Sequence, residues 1–157
     1  MVEQVAMIAG SNGYMPFALG KISTLVIGGP YMRFVDRQQT RLPLVGVLMA
    51  EELRDVDYTI FVPTRDFSIP LMRLFRKGLM QSIAQMAIGN QLYVGCMGGI
   101  GRTGLFLAGL AKIMGVEDPV GYVREHYIPH AVETEAQKDF IRALKVEDIR
   151  KWAKIIS

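Results

Sequence analysis

The chain has 157 residues, half of them hydrophobic and 21% charged, with a formal net charge of +3. That length allows one domain with its own core, and the dispersed Lys and Arg favour an anionic ligand only weakly, so nucleic-acid binding does not follow from them. A single cysteine excludes an intramolecular disulfide, the N-terminus lacks the apolar core of a secretory signal, and no apolar run approaches the ~20 residues of a membrane span; the expected setting is cytoplasmic and reducing.

Residues 3–9 and 23–28 are short apolar runs bounded by glycine and read as strands, as do 44–49 and, after a helical turn in AEELRD, 58–62. Residues 69–88 carry a helical stripe of Leu71, Phe75, Leu79, Ile83 and Met86, with Arg73, Arg76 and Lys77 off it on a solvated face. Gly89-Asn90 is a turn, QLYVGC a buried strand, and 102–114 a helix apolar nearly all round, hence central. Gly115 is its stop. Asp118-Pro119 opens the next helix, Thr134 with Gln137 forms a capping box for another, and a last helix places Trp152 and Ile156 on one face. The predicted architecture is one α/β domain: a central, mostly parallel sheet of four or five strands with helices on both faces.

The segment QLYVGCMGGIGRTGLFLAG, from residue 91, carries the chemistry. Its G-I-G-R-T-G satisfies the dinucleotide fingerprint, but no second strand ending in an acidic residue follows about twenty residues on. As a Walker A loop it has cysteine for the first glycine and arginine for the lysine. As Cys-x5-Arg-Thr it is complete. A short loop between strand and helix turns backbone N–H groups inward as a nest for a phosphate dianion, so Met97, Gly98, Gly99, Ile100 and Gly101 form a candidate phosphate loop. Arg102 offers a planar fork to two phosphate oxygens, and Cys96 sits where a positive field favours a thiolate nucleophile. Thr103 is placed to hydrogen-bond the sulfur when it leaves.

CMGGIGRTG resembles the phosphate loop of the cysteine-dependent protein tyrosine phosphatases, nearest to their dual-specificity branch. PTRDFSIP places Asp66 thirty residues before Cys96, where the resemblance implies a general acid. Arg124, Pro129, Ala131-Val132-Glu133-Thr134 and Gln137 resemble the family's segment after the central helix, which packs beside the loop. The resemblance spans roughly residues 22–141 and implies phosphomonoester hydrolysis through a phosphocysteine, with a phosphorylated protein as substrate and partner. It implies no cofactor, and His126 and His130 have no metal-ligand company. The alternatives are a phosphate-binding pseudophosphatase, or the same chemistry on a nucleotide, an RNA 5′-phosphate or an inositol phosphate. The pattern departs at Gly95, where the family usually has a histidine that holds the loop.

Overall fold

The computed structural model describes residues 11–36 and 44–157, so the strand expected at 3–9 lies outside the described residues. In chain order the elements are β1 (Gly13–Leu19), β2 (Ile22–Pro30), α1 (Tyr31–Asp36), β3 (Leu44–Ala50), a 3-10 turn (Glu51–Leu53), β4 (Ile60–Thr64), α2 (Met72–Ala87), β5 (Gln91–Cys96), α3 (Gly101–Met114), α4 (Pro119–His126), α5 (Glu135–Ala143) and α6 (Glu147–Ile156). They build one five-stranded sheet of order β1-β2-β5-β3-β4. Only β1 runs antiparallel to its neighbour; β2–β5, β5–β3 and β3–β4 are parallel. This is the α/β, mostly parallel sheet that the sequence predicts.

Two elements were not legible. In β1 Met15, Phe17 and Leu19 alternate inward, but Pro16 interrupts the pattern and argues against a strand. Proline is tolerated because β1 is the sheet edge, where its missing N–H faces away from the ladder. Helix α1 has six residues, too few to show a period, and is fixed by burying Tyr31 and Phe34. A third difference is Leu71, expected on the apolar stripe of α2. Its backbone is extended, the helix starts one residue later, and its side chain is exposed.

The two sheet faces are covered unequally. Phe34 stacks on Tyr93 of β5 at 5.0 Å, and Tyr31 and Phe34 fill the space above Gly46 of β3. In register, Gly46 pairs with Tyr93 and Leu48 with Gly95, so α1 covers that face. The opposite face takes α2, whose Gly78 lies against Val62 and Ile60 of β4, and the ring of Tyr127, just after α4, which lies on Gly28 of β2. Between these runs α3, where Leu105, Phe106, Leu107, Ala108, Leu110, Ala111 and Ile113 are all fully buried, as an all-round apolar helix requires. Gly115 ends it at φ 101°, donating to Ala111 and Lys112 carbonyls. Asp118 caps α4 by accepting from Gly121 N at 3.1 Å, and Thr134 with Gln137 closes the capping box of α5. No helix among the described residues is long and apolar enough to cross a membrane.

Gly95 lies where β5 passes closest to the start of α1. A Cβ there would come within 2.8 Å of Tyr31 Cα and 2.9 Å of the Gly29 carbonyl oxygen. Both are backbone, which cannot step aside as a side chain can. Gly95→Ala is therefore expected to lower the urea-denaturation free energy by roughly 1–3 kcal/mol through overpacking, and a histidine at that position by more. An Ala variant as stable as the parent would show that the β5–α1 approach is looser than described.

Candidate active site

Strand β5 delivers Cys96 to the C-terminal edge of the parallel strands, the edge at which open α/β sheets place their ligands. The chain turns through Met97, Gly98, Gly99 and Ile100 and enters α3 at Gly101 with no side-chain cap. The first backbone N–H groups of a helix lack intrahelical partners and carry the positive end of its dipole. Gly99 takes φ +71°, and a Cβ there would lie 2.4 Å from the carbonyl carbon of Gly29. Glycine is required at that position on both counts. Cys96 is 3% exposed, and Thr103 Oγ1 donates to its sulfur at 3.1 Å. Met97 and Gly98 face solvent, while Ile100 is half-buried.

Arg102 is among the largest fully buried side chains, at 2% exposure. Its Nη1 donates to Glu52 Oε1 at 2.6 Å and to the Thr64 carbonyl at 2.8 Å; its Nη2 donates to Glu52 Oε2 at 2.9 Å. This is a bidentate fork on a carboxylate, the strong form of the arginine ion pair. Burial works against the guanidinium charge, but the Glu52 hydrogen bonds, followed by the electrostatic influence of Cys96, Glu52 and Asp66, hold the Arg102 pKa above its ordinary value. The Arg102 hydrogen bond in turn holds the Glu52 carboxyl below the usual glutamate range. A further donor, Nε, is buried and finds no acceptor among the described residues. A buried charged donor left unpaired is costly, and such atoms concentrate where a ligand completes them.

Asp66 stands on the loop between β4 and α2, with Oδ1 3.6 Å from Arg102 Nη2 and its side chain 56% exposed. Oδ1 also accepts from Phe67 N at 3.0 Å. Phe67 adopts φ 56°, a left-handed conformation that bulky residues seldom take. The Arg65–Ser68 turn bond at 3.1 Å and the bond from Gln137 Nε2 to Ser68 O at 3.2 Å hold this loop. Gln137 thus ties the start of α5 to the Asp66 loop as well as capping the helix.

The structure brings Cys96, Thr103, Arg102 and Asp66 to one edge of the sheet. The segment after α4 packs beside them: Arg124 donates to the carbonyls of Ala131 and Val132 at 2.9 and 2.7 Å. Ala131 and Val132 lie against Gly104, and the Glu133 carboxylate fills the space beside Gly101. Three contributors were missed from sequence. Glu52 reads only as part of a helical turn in AEELRD, and its role depends on where the 3-10 turn meets Arg102. Asn12 donates through Nδ2 to Gly98 O at 2.9 Å and Gly99 O at 3.2 Å, and the Tyr127 hydroxyl donates to Gly99 O at 2.6 Å. Nothing local marks Asn12 or Tyr127. Neither histidine approaches these groups: His126 is exposed on α4 against the Tyr122 carbonyl, and His130 is exposed.

No family model matches the chain. It is 41% identical over 83 residues to an uncharacterized protein of Methanocaldococcus jannaschii, covering 53% of this chain and 56% of that one. A second uncharacterized protein of the same organism is 38% identical over 85 residues, covering 53% and 52%. The chain thus spans about half the length of these curated relatives. Among solved structures it is similar to Tk-PTP in the active form, with TM-score 0.61 and 23% identity over 76% of this chain and 89% of that one. DUSP15 aligns with TM-score 0.65 and 15% identity over 92% and 96%. PTPMT1 in complex with PI(5)P aligns with TM-score 0.56 and 16% identity over 83% and 92%. These likenesses show the dual-specificity-like fold.

Glu52→Gln would leave the Arg102 fork with a neutral partner. Because Glu52 is 44% exposed, the expected stability loss is modest, about 1–2 kcal/mol. Its folded pKa lies below the ordinary 4.5, so the unfolded chain binds the proton first. The pair's contribution is complete above that ordinary value and drains away as pH falls through the lower folded pKa. Thermal melts of parent and Glu52→Gln should therefore converge as pH drops below 4.5, and curves that stay parallel would contradict the pairing.

Proposed function

For a chain with the dual-specificity-like cysteine phosphatase fold, we propose phosphomonoester hydrolysis by Cys96 through a phosphocysteine, with a phosphorylated protein as substrate. The observation that carries this is the buried, unpartnered Nε of Arg102 beside a cysteine whose sulfur accepts from Thr103. Glu52 and the Thr64 carbonyl occupy Nη1 and Glu52 one N–H of Nη2, which orients the fork and leaves Nε and the second N–H of Nη2 as donors for phosphate oxygens. Backbone N–H groups of 97–102 at the start of α3 supply the rest of the cradle.

In the first step the Cys96 thiolate attacks phosphorus. The S–P bond forms as the P–O ester bond breaks, and Asp66 in its acid form gives its proton to the departing oxygen. In the second, water attacks phosphorus, Asp66 takes up the proton, and the S–P bond breaks to return the thiolate. The Thr103 hydroxyl, already on the sulfur at 3.1 Å, stabilises the charge that reappears there. Arg102 and the loop amides carry the negative charge of both transition states.

A protein substrate is favoured by the character of the surrounding loops. Met97 on the phosphate loop and Phe67 beside Asp66 expose 51% and 61% of their surface, and Ile69 is exposed nearby. Among the described residues the acids Glu51, Glu52, Asp66 and Glu133 belong to this edge, and the Arg65 guanidinium is paired with Glu51 at 3.6 Å. An inositol polyphosphate or an RNA end needs surplus cations at this rim, whereas a single phosphorylated side chain flanked by apolar residues does not.

Phosphate release from an aryl phosphate should fall to background in Cys96→Ser. Asp66→Asn should lower kcat about 10²–10³-fold for an alkyl phosphate and less for an activated aryl phosphate, whose leaving group needs no proton. Phosphotyrosine and phosphothreonine peptides should be turned over faster than inositol phosphates or 5′-phosphorylated RNA. Oxyanion binding without turnover in the parent would favour the pseudophosphatase, and full activity in Cys96→Ser would exclude this chemistry.

A further inference from the structure

Asn12 precedes β1, yet its side chain reaches across to the phosphate loop. Its own backbone is fixed, because Asn12 N donates to Gly28 O at 2.9 Å and continues the β1–β2 ladder by one residue. From that anchor Nδ2 divides between Gly98 O and Gly99 O, at 2.9 and 3.2 Å. The Tyr127 hydroxyl reaches Gly99 O at 2.6 Å. Burial pushes the Tyr127 phenol well above its ordinary range while a hydrogen bond with Asn12 pulls the other way, so the hydroxyl remains a donor. Two side chains from distant parts of the chain thus converge on two consecutive carbonyls of a glycine pair.

The consequence follows from peptide geometry. In a planar trans peptide the C=O and N–H point in opposite directions. Holding the Gly98 and Gly99 carbonyls on Asn12 and Tyr127 turns the N–H groups of Gly99 and Ile100 to the other side, away from β2 and Asn12. A glycine pair has little intrinsic preference for this arrangement and loses more conformational freedom than other residues in adopting it. The loop therefore depends on outside contacts. A histidine at position 95 cannot supply them, because Tyr31 and Gly29 already occupy the space where its Cβ would stand.

We propose that Asn12 is a positioning residue which, with Tyr127, holds the phosphate loop in its anion-binding conformation, the task for which position 95 has no room here. The proposal rests on the functional reading above in taking this loop as the phosphate site. Asn12 does not touch the reacting atoms; it acts through the Gly98 and Gly99 peptides.

The test uses the full chain, with tungstate as an oxyanion probe by titration calorimetry and an aryl phosphate for turnover. Asn12→Asp keeps the size of the side chain and removes its amide donor. Both Asn12→Asp and Asn12→Ala should weaken tungstate binding and lower kcat/KM by about tenfold, the scale of one lost hydrogen bond at the upper end of its usual worth. The melting temperature should move little, since the β1–β2 backbone bond remains. Tyr127→Phe should act in the same direction, and the double variant should lose less than the product of the single losses. Tungstate affinity unchanged in Asn12→Asp would overturn the proposal, as would losses that follow only the unfolded fraction. Tungstate binding by the parent without turnover, weakened in Asn12→Asp, would uphold the positioning role while removing the enzymatic reading. A parent that binds no oxyanion would overturn both.

Discussion

The structure turns on a backbone constraint: a buried strand must pass into a buried helix through four residues. Strand β5 ends at Cys96 and α3 begins at Gly101, and both sit in the core. Backbone polar groups in such a place require partners. The carbonyls of the turn find theirs in Asn12 and Tyr127. The amides at the start of α3 have no side-chain cap, and an anion is the natural complement to them. The parallel sheet serves this turn, because parallel pairing on both sides of β5 buries the strand and lines its end up with Pro30 of β2 and the region of Leu48 in β3.

The arginine is the second fixed point. A guanidinium at 2% exposure is expensive unless its charge is met. Glu52 and the Thr64 carbonyl meet it, and each comes from the end of a neighbouring parallel strand. The same loop after β4 carries Asp66 to 3.6 Å from the guanidinium. Cys96, Arg102 and Asp66 are thus gathered at three adjacent strand ends, β5, β3 and β4. Remote links reinforce them: Gln137 holds Ser68, and Arg124 holds the Ala131–Val132 carbonyls against the first turns of α3.

The absence of a histidine at position 95 is explained by packing. Tyr31 and Phe34 cover this sheet face: their rings need glycine at position 46, and the Tyr31 Cα and Cβ with the Gly29 carbonyl leave room for no more than glycine at position 95. Gly46 beneath the two rings and Gly95 beneath the Tyr31 backbone allow α1 to sit close to the sheet, and the loop is held instead by Asn12 and Tyr127. Strain is concentrated nearby as well. Phe67 and Val132 are the described non-glycine residues with positive φ, one on the loop beside Asp66 and one on the segment beside α3. Backbone strain of this kind persists where surrounding contacts over-determine it, as the Gln137 and Arg124 bonds do here.

Sequence alone determined the α/β class, the central buried helix, both side-chain caps and the loop residues Cys96 to Thr103, because these depend on periodicity and on spacings within a few residues. It did not reveal β1, where Pro16 breaks the pattern at an edge strand, nor α1, too short to show a period. Asp66 was singled out by the family resemblance, and its approach to Arg102 is visible only in the fold. Tertiary structure decided Glu52, Asn12 and Tyr127, which lie 50, 86 and 28 residues from the groups they bond. No local pattern encodes such partners; they are selected by which strand ends become neighbours. The meaning of Gly95 was decided in the same way: in sequence it is a missing histidine, and in the fold it is the only residue type that fits beneath Tyr31.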